Sequence, residues 1–501
     1  MEKQLNELKL RLQEVYDLTS TSAVLEWDQA TYMPPGGATA RGRQMAILAT
    51  LAQDKFTDPA IGKLLDGLQK FAESQPYDSD EAALIRKTRR DYERQTKVPT
   101  AWVTKFSAHE AESYQAWTVA RPANDFRSVA DLLKKTLDYS REYADFFPGY
   151  EHIADPLIDV LDPGMKASDI QKVFGKLREQ LVPIVQAITA QPLADDSPLR
   201  TGYPEDQQLT FGETIVRDFG FDFTRGRQDK SPHPFTTIFS VGDVRITTRV
   251  QEHDLSDALF STLHETGHAL YEQGVDPALE GTPLAGGTSS GVHESQSRTW
   301  ENLVGRSRGF WQHYYPKLRG YFPNQLSKVS LDAFYQAINK VSRSLIRTDA
   351  DEVTYNLHVM LRFDLELQML EGKLEIKDLP EAWHSRYQAD LGMHAPSDVD
   401  GVLQDVHWYA GMIGGVFQGY TLGNIMSALF FNAAQNAHPE IPAQIANGNF
   451  ETLLAWNKEN IYRHGSKLTP NELVERITGN SLSIEPYIKY LKSKYGELYV
   501  L

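Results

Sequence analysis

The sequence predicts a mainly α protein, one large helical domain carrying a small β-hairpin. Three observations predict it. Apolar residues recur at the 3,4 spacing of a buried helix face along most of the chain, as at Leu5, Leu8, Leu12 and Val15. One stretch alone, TTIFSVGDVRITTRV (236–250), is rich in β-branched residues. Finally, no internal repeat or composition shift divides the 501 residues, 41% of which are hydrophobic. They read as a single domain over 1–501 with ample material for a core.

The elements follow in order. MEKQLNELKLRLQEVYDL, at the start, is charged and amphipathic and lacks the apolar stretch of a signal peptide. YMPPGGATARG (32–42) reads as a loop, because Pro-Pro-Gly-Gly interrupts a helix. Helical spacing continues from Arg43 to Phe146, with breaks near Pro76, Pro99 and Pro122. QPLADDSPLRTGYPEDQ (191–207) is polar and proline-containing and reads as an exposed loop. The hairpin at 236–250 turns at Gly242-Asp243. Helices resume at Leu255 and run to the C-terminus with short breaks.

Composition removes several classes of function. Lys and Arg number 51 against 67 Asp and Glu, a net charge of −16. A surface of that sign repels phosphate backbones, so nucleic acid is not an expected partner. Without cysteine there is no disulfide and no thiolate, and any transition metal must be held by histidine and carboxylate. No run of about 18 apolar residues suggests a membrane span, and the expected location is the cytoplasm.

One stretch points to chemistry: LHETGHALYEQG, residues 263–274. Asp254 or Ser256 can cap a helix whose apolar face includes Leu255, Leu259, Leu263 and Leu270, and Gly274 suits a left-handed stop. Residues four apart share a helix face, so His264 and His268 can aim both imidazoles at one point. Glu265 then stands beside a metal-activated water as general base. The alternative is a purely structural histidine pair.

A metal bound this way needs a third ligand. In GTPLAGGTSSGVHESQSRTWENLVG (281–305) a glycine-rich loop leads into helical spacing. Glu294 stands there, one loop after the histidine helix, as in glutamate-type zinc peptidases. His293 competes with it but points about 100° away on a helix. Glu272 and Glu301 are also near in sequence and read as solvated helix charges.

Six ordered stretches then carry a resemblance: HPF (233–235), DVRITT (243–248), HETGH (264–268), HESQ (293–296), IRTDAD (346–351) and GVLQDVHW (401–408). The sequence resembles the thermostable zinc metallocarboxypeptidases of the Thermus aquaticus carboxypeptidase type. That resemblance implies a helical domain with a deep substrate groove and a small sheet beside the metal. It implies a homodimer that removes single residues from the free C-termini of peptides. It also makes His264, His268 and Glu294 the ligands of one zinc ion, with Glu265 the base. Nitrogen and oxygen ligands accept cobalt or manganese in place of zinc.

The remaining motifs offer substrate contacts. Arg347, read in a semi-apolar helical context, can pair the terminal carboxylate through its guanidinium fork. Its alternative is an internal ion pair with Asp349, Asp351 or Asp364. His407 and His233, each beside an aromatic residue, can donate to substrate or to the oxyanion. So can Tyr420 of GYTLGN (419–424). The hairpin's edge can bind extended peptide, and Arg245 and Arg249 on it meet substrate or solvent. Competing functions are a helical zinc endopeptidase, a dipeptidyl carboxypeptidase and a non-catalytic peptide-binding protein.

Overall fold

The apolar periodicity folds as helices, and local signals set their ends. The computed structural model describes residues 1–499. Helices span Glu2–Thr31, Ala38–Phe56, Pro59–Ser74, Asp80–Lys97, Thr100–Ala123 and Arg127–Asp145 in the first part of the chain. Asp58 and Ser79 cap two of them by accepting backbone N–H groups of Ala60 and Ala82. Pro122 does not break its helix; it lies in the last turn, and Asn124 in the left-handed region ends the helix. The 32–42 loop is shorter than expected, because a single turn at Pro35–Gly37 runs directly into the next helix.

Leu5, Leu8 and Leu12 pack with Ile61, Leu65, Leu68 and Leu84 in a small core of their own, joined by Val275, Leu279 and Leu284 from the loop after the histidine helix. Phe56 joins this small core, and the main core holds the helices from Thr100 onward. Among the described residues no helix is long and apolar enough to cross a membrane.

The expected hairpin is present and is part of a larger sheet. Strands β1 (Gly226–Lys230), β2 (Thr236–Ser240) and β3 (Asp243–Thr248) lie in the order β1-β3-β2. β2 and β3 pair antiparallel, and β1 adds in parallel to β3. β3 is central and buries Val244 and Ile246. The sequence reading missed β1 because GRQDK has no apolar alternation. Its side chains are satisfied laterally: Arg227 pairs with Asp229, and Gln228 donates to Thr262 of the histidine helix.

Helices run on to Tyr499 as expected, but two of the breaks between them are long and not short. Residues 339–354 are irregular apart from one turn at Arg347–Asp349, and residues 392–417 form no helix. These two segments carry Arg347 and His407.

Candidate metal centre

The histidine helix is Leu255–Gln273. The Asp254 carboxylate caps it, accepting the Ser256 N–H at 3.0 Å, and Leu255, Leu259, Leu263 and Leu270 are buried. Gly274 ends it with φ −89°, not the expected left-handed value. Glycine is needed there for space, since a Cβ would lie 2.5 Å from the Tyr462 ring.

Gly267, between the histidines, has the same kind of role. A Cβ there would lie 2.5 Å from the Gln296 carbonyl oxygen and 2.6 Å from Ser297 Cα. The histidine helix therefore touches the backbone of a second helix, Ser290–Arg298, which carries Glu294. A third helix, Gln418–Ala437, closes on Glu294 from another side at Gly423, where a Cβ would lie 2.5 Å from the Glu294 Cβ and Cγ.

This packing brings three donors together. His264 Nε2 lies 3.6 Å and His268 Nε2 3.5 Å from Glu294 Oε2, and one ligand atom of each residue lies within 4.8 Å of the others. Two imidazole nitrogens and one carboxylate oxygen suit a divalent first-row ion and leave room for a water. The outer atoms are held as well. Glu301 accepts from His264 Nδ1 at 2.9 Å, and Arg298 donates to Glu294 at 2.8 Å and to Glu301 at 3.0 Å.

Charge in the metal-free protein follows from this network. Burial alone would raise the Glu294 carboxyl, but Arg298 and the two imidazoles outweigh it and hold it well below the usual carboxylate range. Burial is likewise overcome at Glu301, which Arg298 and His264 bring to about 2. Burial presses His264 toward neutrality, yet Glu294 and Glu301 raise it. At His268 burial prevails and lowers it.

Glu265 is 7% exposed and is aimed by the sheet. Thr236, the first residue of β2, donates to Glu265 Oε2 at 2.7 Å and lies 2.9 Å from its carbonyl oxygen. A cavity of about 730 Å³ opens beside Glu265 and His264, lined also by Arg249, Asp257, Arg298 and Glu301. Glu265 and His268 border a second cavity of about 370 Å³, along Pro234, Phe235, Thr236, Thr237 and Ile238 of the β2 segment.

Arg347 lies in a buried polar array. It is in the irregular segment, not on a helix, and is 6% exposed. Its ion-pair partner is Asp405 of QDVHW at 2.7 Å, none of the three expected acids. Asp349 is exposed, Asp351 caps the turn at Val353 and Thr354, and Asp364 pairs with Arg178 and Arg386. Asp405 also pairs with Arg362, which is fully buried. Arg347 Nη1 donates to Tyr355 at 2.9 Å, and the Arg298 guanidinium covers the Tyr355 ring at 4.9 Å. Tyr355 thus links the Arg347 array to the carboxylates around the histidines. His407 and Tyr420 complete the group, with Tyr420 Oη 3.4 Å from His407 Nε2 and the Tyr420 ring 5.3 Å from the Arg347 guanidinium.

Residues 7–495 match the family described as carboxypeptidase Taq (M32) metallopeptidase. The chain belongs to the M32 carboxypeptidase Taq family. It is 41% identical to thermostable carboxypeptidase 1 of Thermus thermophilus, over 99% of this chain and 98% of that protein. The M32 carboxypeptidase of Deinococcus radiodurans R1 superposes with a TM-score of 0.96 at 52% identity, covering 100% of both chains. The apo-Mg structure of Pyrococcus furiosus carboxypeptidase gives 0.95 at 32% identity over 99% of each chain.

In this metallocarboxypeptidase the expected residues do not all converge. His264, His268, Glu294 and Glu265 form one cluster, and Arg347, His407 and Tyr420 form a second, joined to it through Tyr355. His233 joins neither: it is exposed, and its backbone carbonyl accepts from Ser231. Its neighbours Pro234 and Phe235 line the smaller cavity instead. Arg245 pairs with Asp243 at 2.8 Å beneath the Trp27 ring, and Arg249 pairs with Asp257 at 2.7 Å. Glu272 and Glu301 are buried, at 5% and 8% exposure, and are not solvated charges. Thr236, Arg298, Tyr355, Arg362 and Asp405 were missed. Asp405 does lie within GVLQDVHW and Thr236 directly follows HPF, the one signal that could have found them.

Proposed function

We propose that this metallocarboxypeptidase removes single residues from the free C-termini of peptides with the help of one zinc ion. His264, His268 and Glu294 hold the ion, and cobalt or manganese can replace zinc in such a donor set. The convergence of those three donors, with Glu265 alongside, carries the reading. A bound divalent ion supplies Lewis-acid polarisation and lowers the pKa of water.

Glu265 does the proton work. Thr236 occupies its Oε2, which leaves Oε1 to take the proton of the attacking water and pass it to the leaving amine. The direction of cleavage is supported by the buried array. Arg347 and Arg362 oppose the single carboxylate of Asp405, so the array holds a positive charge that a substrate's terminal carboxylate can balance. Tyr420 and His407 stand beside it as hydrogen-bond donors to substrate. The family resemblance supports a homodimer.

The test is a time course on a free-ended peptide, followed by mass spectrometry. Successive loss of one C-terminal residue is expected. Release of dipeptides, or cleavage of a peptide blocked at both ends, would overturn the reading.

A further inference from the structure

The two imidazoles aimed at Glu294 are supported unequally. Each turns Nε2 toward Glu294 Oε2; an Nε2 that ligates the ion keeps its lone pair free of a proton, so each ring then carries its proton on Nδ1. His264 Nδ1–H donates directly to the Glu301 carboxylate at 2.9 Å. His268 Nδ1–H has no carboxylate to meet; it donates to His293 Nδ1 at 2.6 Å. The accepting nitrogen cannot itself carry a proton, so neutral His293 is protonated on Nε2. That Nε2–H donates to Glu272 Oε1 at 2.6 Å. His268 therefore reaches a carboxylate only through a second imidazole.

The relay is fixed from several sides. Glu272 is 5% exposed, and its Oε1 also accepts the Gly287 N–H at 3.0 Å, from the glycine-rich loop. The Tyr271 ring packs on His293 at 5.1 Å between centroids. Both His293 nitrogens are engaged, one accepting and one donating, so it has no lone pair left for a metal. This removes it as a competitor of Glu294.

We propose that His293, backed by Glu272, is a positioning residue of the metal centre: it fixes the tautomer and ring orientation of His268 and so sets the affinity for the ion. The proposal rests on the reading of His264, His268 and Glu294 as ligands. Outer partners of metal-bound histidines generally act in this way.

The experiment measures zinc affinity by competition with a chromophoric chelator, and the thermal midpoint of the metal-free protein, for wild type and four variants. His293→Leu removes acceptor and donor and should bind zinc about 10–100-fold more weakly. His293→Asn keeps an acceptor near the Nδ1 position and should stay within about threefold of wild type. Glu272→Gln keeps the shape, loses the charge and should fall between them. A metal-free midpoint for His293→Leu close to wild type, alongside weaker zinc, supports positioning over packing. Wild-type affinity in folded His293→Leu overturns the proposal, as does equal weakening by Asn and Leu. Tight zinc binding by His264→Ala would instead overturn the ligand set, and this proposal with it.

Discussion

Thr236 Oγ1 lies 2.7 Å from Glu265 Oε2, so the first residue of an edge strand aims the acidic side chain of the histidine helix. Thr236→Val keeps the shape and removes the donor. A hydrogen bond to a charged group is worth about 1.5–3 kcal/mol, so kcat/KM should fall about 10–100-fold while the metal content stays unchanged. Metal analysis beside steady-state kinetics tests this. An undiminished kcat/KM would show that Glu265 needs no such support.

Glu265→Gln cannot accept the proton. Its metal content should be normal and its activity lower by about 10²–10⁴, the range for loss of a general base. Loss of metal together with activity would place Glu265 among the ligands.

Gly267→Ala tests the helix contact that brings Glu294 to the histidines. The added methyl meets backbone atoms, which cannot move aside as a flexible side chain can. Overpacking of this kind costs about 1–3 kcal/mol. Thermal denaturation should show that loss, and chelator competition should show weaker metal binding. A variant as stable and as tightly loaded as wild type would contradict the close packing.

These cases show what the sequence could and could not reveal. His264 and His268 were legible because helix periodicity is local and fixes their common face, and Glu265 because it directly follows the first of them. The β2–β3 hairpin was legible from its turn. Strand β1 was not, since its polar residues join the sheet through backbone pairing with β3. The partner of Arg347 lies 58 residues away in an irregular segment, beyond any periodicity. Glu301 and Glu272 were read as solvated because charge alone does not reveal burial. Only the folded chain shows their histidine partners.

Glu366 provides a pH dependence. Burial raises its carboxyl to about 7, against hydrogen bonds from Trp408 and the Gly414 backbone and the nearby Arg362 charge. Trp408 Nε1 donates to one of its oxygens at 2.8 Å. Below pH 7 it is mostly neutral, and the positive charge of Arg347 and Arg362 exceeds that of Asp405. As pH rises through 7, Glu366 ionises and cancels that excess, so KM for free-acid peptides should rise. Glu366→Gln should flatten this limb of the KM–pH profile. An unchanged limb in the variant would assign the effect to another group.

The direction of attack rests on Arg347. Its Nε and Nη2 engage Asp405 and its Nη1 reaches Tyr355, beside Tyr420 and His407. If this array reads the terminal carboxylate, an amidated C-terminus should be a poor substrate, since amidation removes the charge and leaves a buried cation unbalanced. A discrimination of about 2–5 kcal/mol is expected for a buried charge pair deprived of one partner. Arg347→Ala should lose most activity on free acids and much of the preference for acid over amide. Asp405 keeps Arg362 as a partner, so the segment retains an ion pair, and metal content should not change. The measurement is kcat/KM for a matched acid and amide pair in both proteins. A variant that keeps the wild-type ratio would reduce Arg347 to a structural partner of Asp405. Arg249, which lines the larger cavity, would then be the next cation to test.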